Sequence, residues 1–148
     1  MKIAILNCCA PDAAFDKLGL QGDFIGEWLC ACLPEARFTE VLLANGHDLP
    51  EATSFDGYIV SGSEKGVYDD AAWMQPLSNF LINLRERHIP VFGICFGHQL
   101  MAQVYGGVAE QVDLGMVVGS REYRANGQTF SAHAMPVSYT HLTLPTKA

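Results

Sequence analysis

Two features of the 148 residues predict an α/β fold with a mostly parallel sheet covered on both faces. Short apolar runs rich in strand formers alternate with segments of helical periodicity. The loops that follow two of those runs are built from Gly, Ser and Cys, as ligand-site loops at the carboxyl ends of parallel strands are.

The elements follow in order. Lys2-Ile3-Ala4-Ile5-Leu6 reads as a buried strand ending at Asn7-Cys8-Cys9 and a Pro11-Asp12 loop. Gly22-Asp23 opens a helix whose apolar face is Phe24, Ile25, Trp28, Leu29 and Cys32, with Pro34 marking its end. A second strand is expected over residues 36–44, around Phe38, Val41, Leu42 and Leu43, before the turn Asn45-Gly46. Residues 55–60 form a third strand that runs into Ser61-Gly62-Ser63. An amphipathic helix is predicted over residues 70–87, with Trp73, Leu77, Phe80, Leu81 and Leu84 on one face. Asp69-Asp70 at its start and Arg85 and Arg87 at its end suit the helix dipole. Ile89-Pro90-Val91-Phe92 is a fourth strand, and the residues after Cys95 form a helix to Tyr105, stopped by Gly106-Gly107. Beyond Gly107 the pattern turns antiparallel, with strands over 108–119 and 121–123 and a hairpin turn at Asn126-Gly127.

Composition narrows the class. A hydrophobic share of 49 % against 17 % charged residues supports one core-rich globular domain. The net charge of −7, with no basic cluster, argues against a nucleic-acid partner. No run is long enough for a membrane span, and the strand-like start does not resemble a signal peptide, so a cytoplasmic protein without membrane partner is expected. Five cysteines form an odd set with no disulfide framework implied.

Gly93-Ile94-Cys95-Phe96-Gly97-His98-Gln99 is the most informative stretch. It sets a cysteine between glycines on a sharp strand-to-helix turn. The strand end pushes the side chain outward and the helix N-terminus favours its thiolate, the cysteine counterpart of a serine nucleophile elbow. Cys95 is read as a nucleophile. A thiolate that attacks a carbonyl needs an oxyanion hole; the Phe96 N–H supplies one donor and the Ser61-Gly62-Ser63 loop a second. Cys8, Cys9, Cys30 and Cys32 are read as structural, without zinc spacing. His98, three residues after Cys95, is read as a packing or supporting histidine rather than the base. His47 and His88 are read as surface residues.

The Cys95 motif resembles the nucleophile motif of class I, triad-type glutamine amidotransferases. Asp56-Gly57-Tyr58-Ile59-Val60-Ser61-Gly62-Ser63 and then Val67-Tyr68-Asp69-Asp70 with Trp73 follow the same order. They are similar to stand-alone members that resemble the glutaminase domain of GMP synthase. The resemblance implies a flavodoxin-like three-layer sandwich and hydrolysis of the glutamine side-chain amide. Cys95 would form a γ-glutamyl thioester and release ammonia. Gly62 and Phe96 would supply the oxyanion-hole N–H groups. Ser63 and Gln99 would help hold the substrate, and Arg121-Glu122-Tyr123 matches a segment lying along it. No metal or organic cofactor is implied. A synthetase domain or subunit is the expected partner if the ammonia is used.

In this family the acid/base histidine and its glutamate occur as a late His-x-Glu motif. His133 is followed by Ala134-Met135, His141 by Leu142-Thr143, and no acidic residue follows Glu122. The domain is therefore expected to be incomplete at its C-terminus. Residues 1–135 would be its N-terminal portion, and 136–148 a non-native tail that resembles the translation of a transposon-type sequencing adapter. The tail is expected to pack poorly or to pair opportunistically as a strand. Two other readings stay open: a γ-glutamyl peptidase on the same scaffold, and a non-catalytic binding or regulatory module.

Overall fold

The computed structural model describes residues 1–10, 21–125 and 127–143, and the Pro11-Asp12 loop lies outside them. Four strands form one sheet: β1 (Lys2–Asn7), β2 (Arg37–Leu42), β3 (Gly57–Val60) and β4 (Val91–Gly93). Their order is β2-β1-β3-β4 and every pairing is parallel, the flavodoxin-like arrangement expected. Three helices flank it: α1 (Gln21–Cys30), α2 (Met74–Glu86) and α3 (Phe96–Val104).

Strand alternation sorts the core into two layers. Ala4, Leu6, Tyr58 and Val60 point to one face and pack with Leu77, Phe80, Leu81 and Leu84 of α2 and Phe96 and Leu100 of α3. Ile3, Ile5 and Ile59 point to the other and meet Ile25 of α1. Both faces are buried, which is why these strands read as continuous apolar runs rather than alternating ones. Tyr58 is the polar exception. Its hydroxyl reaches the carbonyls of Glu51 and Ala52, both at 3.0 Å, and burial pushes its pKa up.

Several boundaries differ from the sequence reading. The second strand ends at Leu42, and residues 43–45 form a turn of 3-10 helix closed by Gly46 at φ 85°. The fourth strand is Val91–Gly93, shifted toward the cysteine turn. The long helix starts at Met74 rather than residue 70, so Asp69-Asp70 do not sit in its first turn. Asp69 is committed elsewhere: its carboxylate accepts the Gly66 N–H at 2.8 Å, and its own N–H reaches the Gly66 carbonyl at 3.1 Å. Pro76 in the first turn fits the later start, because a helix N-terminus has no use for the missing N–H. On α1, Ile25 is buried, but Phe24 is 50 % and Trp28 65 % exposed, so the predicted apolar face is wider than the buried one. Cys30 and Cys32 are exposed as well, not buried structural thiols: Cys30 is the last residue of α1, and Cys32 lies in the turn that follows.

β5 (Val108–Ala125) and β6 (Gln128–Thr143) form a separate two-stranded antiparallel sheet. The two strands expected over 108–119 and 121–123 are one strand, with register shifts between Gln111 and Met116 and between Val117 and Gly119. Gly127 has the positive φ, 77°, that a hairpin turn requires; Asn126 lies outside the described residues. Val137 pairs with Val117 and Thr143 with Val108 in the same ladder.

Candidate active site

The carboxyl ends of β1, β3 and β4 converge, and the site is assembled from the chain that leaves each of them. Cys95 stands between β4 and α3 with φ 52° and ψ −107°, a conformation that L-residues adopt only at a cost. Its side chain is exposed. Two glycines permit this turn. A Cβ on Gly93 would lie 2.6 Å from the Gly97 carbonyl carbon and the His98 nitrogen, and one on Gly97 would lie 2.4 Å from the Val60 carbonyl oxygen. Only glycine at both positions lets α3 start this close to the ends of β3 and β4.

The helix is tied to the neighbouring strand through its first turn. The Gly97 N–H donates to the Ser61 carbonyl at 3.1 Å and to that of Ile94 at 2.9 Å, and the Ile94 N–H donates to Val60 at 2.9 Å. Phe96 is buried, and its ring meets Trp73 edge-on at 5.4 Å. Its N–H is one of the first-turn groups for which the helix itself supplies no acceptor. Gln99, half-buried, lies one turn on and donates its N–H to the Cys95 carbonyl at 3.1 Å. His98 is exposed rather than packed. His47 and His88 are exposed, as expected of surface residues.

The Ser61-Gly62-Ser63 loop is held from the other side, by the end of β1. The Ser61 N–H donates to Leu6 at 3.1 Å. The Ser61 hydroxyl accepts the Cys8 N–H at 2.9 Å and donates to the Gly62 carbonyl at 2.7 Å. The Cys9 thiol donates to that same carbonyl at 3.4 Å, and the Ser63 hydroxyl donates to Cys8 at 2.8 Å. The Cys9 N–H is in turn accepted by the Asn7 side chain at 2.9 Å, whose amide donates to Glu40 at 2.8 Å.

These bonds set the direction of both loop peptides. Carbonyl and N–H point in opposite directions across a trans peptide, and the described residues hold no cis bond. With the Ser61 carbonyl on Gly97, the Gly62 N–H turns away from α3. With the Gly62 carbonyl on the β1 side, the N–H of the Gly62–Ser63 peptide points away from β1. β4 and its cysteine turn lie on that side of β3.

Cys8 is chemically quiet. Burial, assisted by Cys9 and Glu64 and opposed by the Ser61 hydrogen bond, pushes its thiol pKa up to about 12. Its Sγ–H lies 3.6 Å from the Leu6 carbonyl. The contribution of Asn7, Cys8 and Cys9 was not assigned from the sequence. The available signal was a polar Asn7 closing an otherwise apolar strand.

The Gly97–Ser61 hydrogen bond sets the turn that carries Cys95, Phe96 and Gln99 beside the loop that carries Gly62 and Ser63. The structure does not bring Arg121, Glu122 and Tyr123 into the same sheet. Glu122 is exposed on β5 opposite Ser131, and the side chains of Arg121 and Tyr123 lie outside the description. Among the described residues no group of three or more His, Cys, Asp or Glu is arranged to hold a metal ion, and no helix is long and apolar enough to cross a membrane.

Comparison with known proteins agrees with this fold. The chain is 27 % identical over 113 residues to gamma-glutamyl peptidase 4 of Arabidopsis thaliana, covering 70 % of this chain and 42 % of that one. It is 40 % identical over 73 residues to the GMP synthase (glutamine-hydrolyzing) of Aromatoleum aromaticum, covering 49 % of this chain and 13 % of that one. The chain thus spans less than half the length of either relative. Its fold matches a glutamine amido transferase from Methylobacillus flagellatus with a TM-score of 0.67 at 20 % identity, over 97 % of this chain and 57 % of the other. The model of the family described as glutamine amidotransferase class-I matches residues 21–145, and the chain belongs to that family.

Proposed function

We propose that the Cys95 turn is the nucleophile site of a cysteine hydrolase that cleaves the side-chain amide of glutamine. The observation that carries this reading is the strained, glycine-flanked Cys95 at the start of α3. Strain of this kind is kept where a side chain must be presented for chemistry. The Cys95 sulfur attacks the amide carbon, a C–S bond forms, and the carbonyl electron pair moves to oxygen. The Phe96 N–H and an N–H of the Gly62 loop receive that charge, the better-directed one being in the Gly62–Ser63 peptide. Collapse expels ammonia once its nitrogen is protonated, and water then hydrolyses the thioester to glutamate. Ser63 and Gln99 border the substrate, and Arg121, Glu122 and Tyr123 are assigned to it by resemblance. No cofactor enters this scheme. A cytoplasmic setting and a synthetase domain or subunit that takes the ammonia belong to the same reading, as does a non-native tail over residues 136–148.

The 148 residues hold no His-x-Glu pair, so the polypeptide on its own is expected to be inactive or nearly so. Loss of the base from a nucleophilic triad costs on the order of a thousandfold or more. Glutaminase assay of the chain as written checks this. Turnover comparable to an intact glutaminase, abolished by Cys95→Ala, would contradict the inactivity.

A second reading, γ-glutamyl peptidase, is favoured by the similarity that covers 70 % of the chain. It shares Cys95 and the oxyanion donors and differs in the leaving group. Comparing glutamine with γ-glutamyl dipeptides on a protein that carries the His-x-Glu pair decides: cleavage of the dipeptides but not of glutamine would select it.

A further inference from the structure

We propose that Ser61 is a positioning residue: its hydroxyl latches the Gly62–Ser63 peptide to the end of β1, so that the N–H of that peptide faces the Cys95 turn. Ser61 is fully buried, and each polar group it owns is used. Its N–H goes to Leu6 at 3.1 Å and its carbonyl accepts Gly97 at 3.1 Å. Its hydroxyl accepts Cys8 at 2.9 Å and donates to Gly62 at 2.7 Å. One side chain therefore joins the end of β1, the loop after β3 and, through its carbonyl, the first turn of α3.

The hydroxyl matters because of what it prevents. Glycine moves easily between backbone conformations. The Gly62–Ser63 peptide could rotate and present its carbonyl where its N–H now points, putting a negative dipole toward any oxyanion formed at Cys95. The hydroxyl holds the carbonyl on the β1 side, and the Cys9 thiol reinforces it at 3.4 Å. A thiol is the weaker donor, so most of the restraint comes from Ser61. A structural serine would only stabilise the fold. A latch also changes how well the site receives negative charge on oxygen. The inference rests on the proposed function only in assuming that an oxyanion forms beside Cys95.

The test compares two reagents on the purified chain. Trifluoroacetone adds to a thiol: a C–S bond forms, the carbonyl pair moves to oxygen, and the thiol proton passes to solvent. Fluorine NMR gives the dissociation constant of the Cys95 adduct, with Cys95→Ala as the background from the other thiols. Iodoacetamide alkylates the same sulfur by displacing iodide and forms no oxyanion. Ser61→Ala is expected to weaken the adduct by about tenfold, the size of one lost hydrogen bond. Its alkylation rate should change by less than about twofold, well inside that margin. Equal adduct affinity in parent and variant, or parallel losses with both reagents, overturns the latch. Should Ser61→Ala fail to fold, Ser61→Cys, which puts a weaker donor in the same place, decides, read against its own Cys95→Ala background. A loss of adduct affinity with the alkylation rate held supports the latch, and affinity equal to the parent overturns it. Protection of Cys95 from iodoacetamide by glutamine tests the glutaminase reading separately. Its absence would sink that reading while the adduct comparison still stands.

Discussion

Cys95 at φ 52° costs the fold about 1–3 kcal/mol, whereas glycine would sit there almost freely. Cys95→Gly is therefore expected to raise the melting temperature, and Cys95→Ala, which keeps the Cβ, to leave the strain in place. Calorimetry of the two variants checks this; equal melting temperatures would count against it. Cys8 makes the opposite kind of prediction. Its pKa rises from 9.0 to about 12 on folding, so above pH ~9 the unfolded chain sheds a proton that the native state retains. Native stability contributed by the neutral thiol is complete below that point and is lost as pH climbs toward ~12. Urea unfolding across this window should show a falling branch in the parent that is flatter in Cys8→Ala. At this scale the cysteine turn was legible because Gly-x-Cys-x-Gly between a strand and a helix calls for a sharp strand-to-helix turn. The proposed latch was not, because it depends on the Ser61 hydroxyl meeting the Cys8 N–H 53 residues away, and pairing at that separation leaves no local pattern in the sequence.

Among the elements, the strands and helices were legible in kind, and their edges were decided by tertiary contacts. The long helix illustrates this: its apolar face was read correctly from Leu77, Phe80, Leu81 and Leu84, while its start was lost to the Gly66–Asp69 turn. The first helix shows the reverse, since Phe24 and Trp28 keep helical spacing yet stay largely exposed. Spacing reports periodicity and cannot tell how wide a face the sheet covers. The difference is measurable. Leu81→Ala in α2, at a fully buried position, should cost about 2–5 kcal/mol. Trp28→Gln in α1 should stay within about 0.5 kcal/mol. Chemical denaturation of both variants distinguishes a packed face from a merely apolar one; similar losses would show that Trp28 is part of the core.

For the molecule as a whole, the all-parallel sheet explains both the position of the site and one weakness of the chain. Parallel strands end together, so the loops after β1, β3 and β4 are brought to one edge without long connections. The order β2-β1-β3-β4 also leaves β4 at the rim of the four described strands, three residues long, with Phe92 55 % exposed. A rim strand with an aromatic side chain is a template on which other chains can stack. What opposes this is mutual repulsion from the net charge of −7, which vanishes near the isoelectric point of about 5.0. Light scattering during acidification should therefore show the protein clouding as it nears that pH, with Phe92→Lys staying clear longer. Colloidal behaviour, rather than catalysis, is where the bare flank of β4 should first make itself felt.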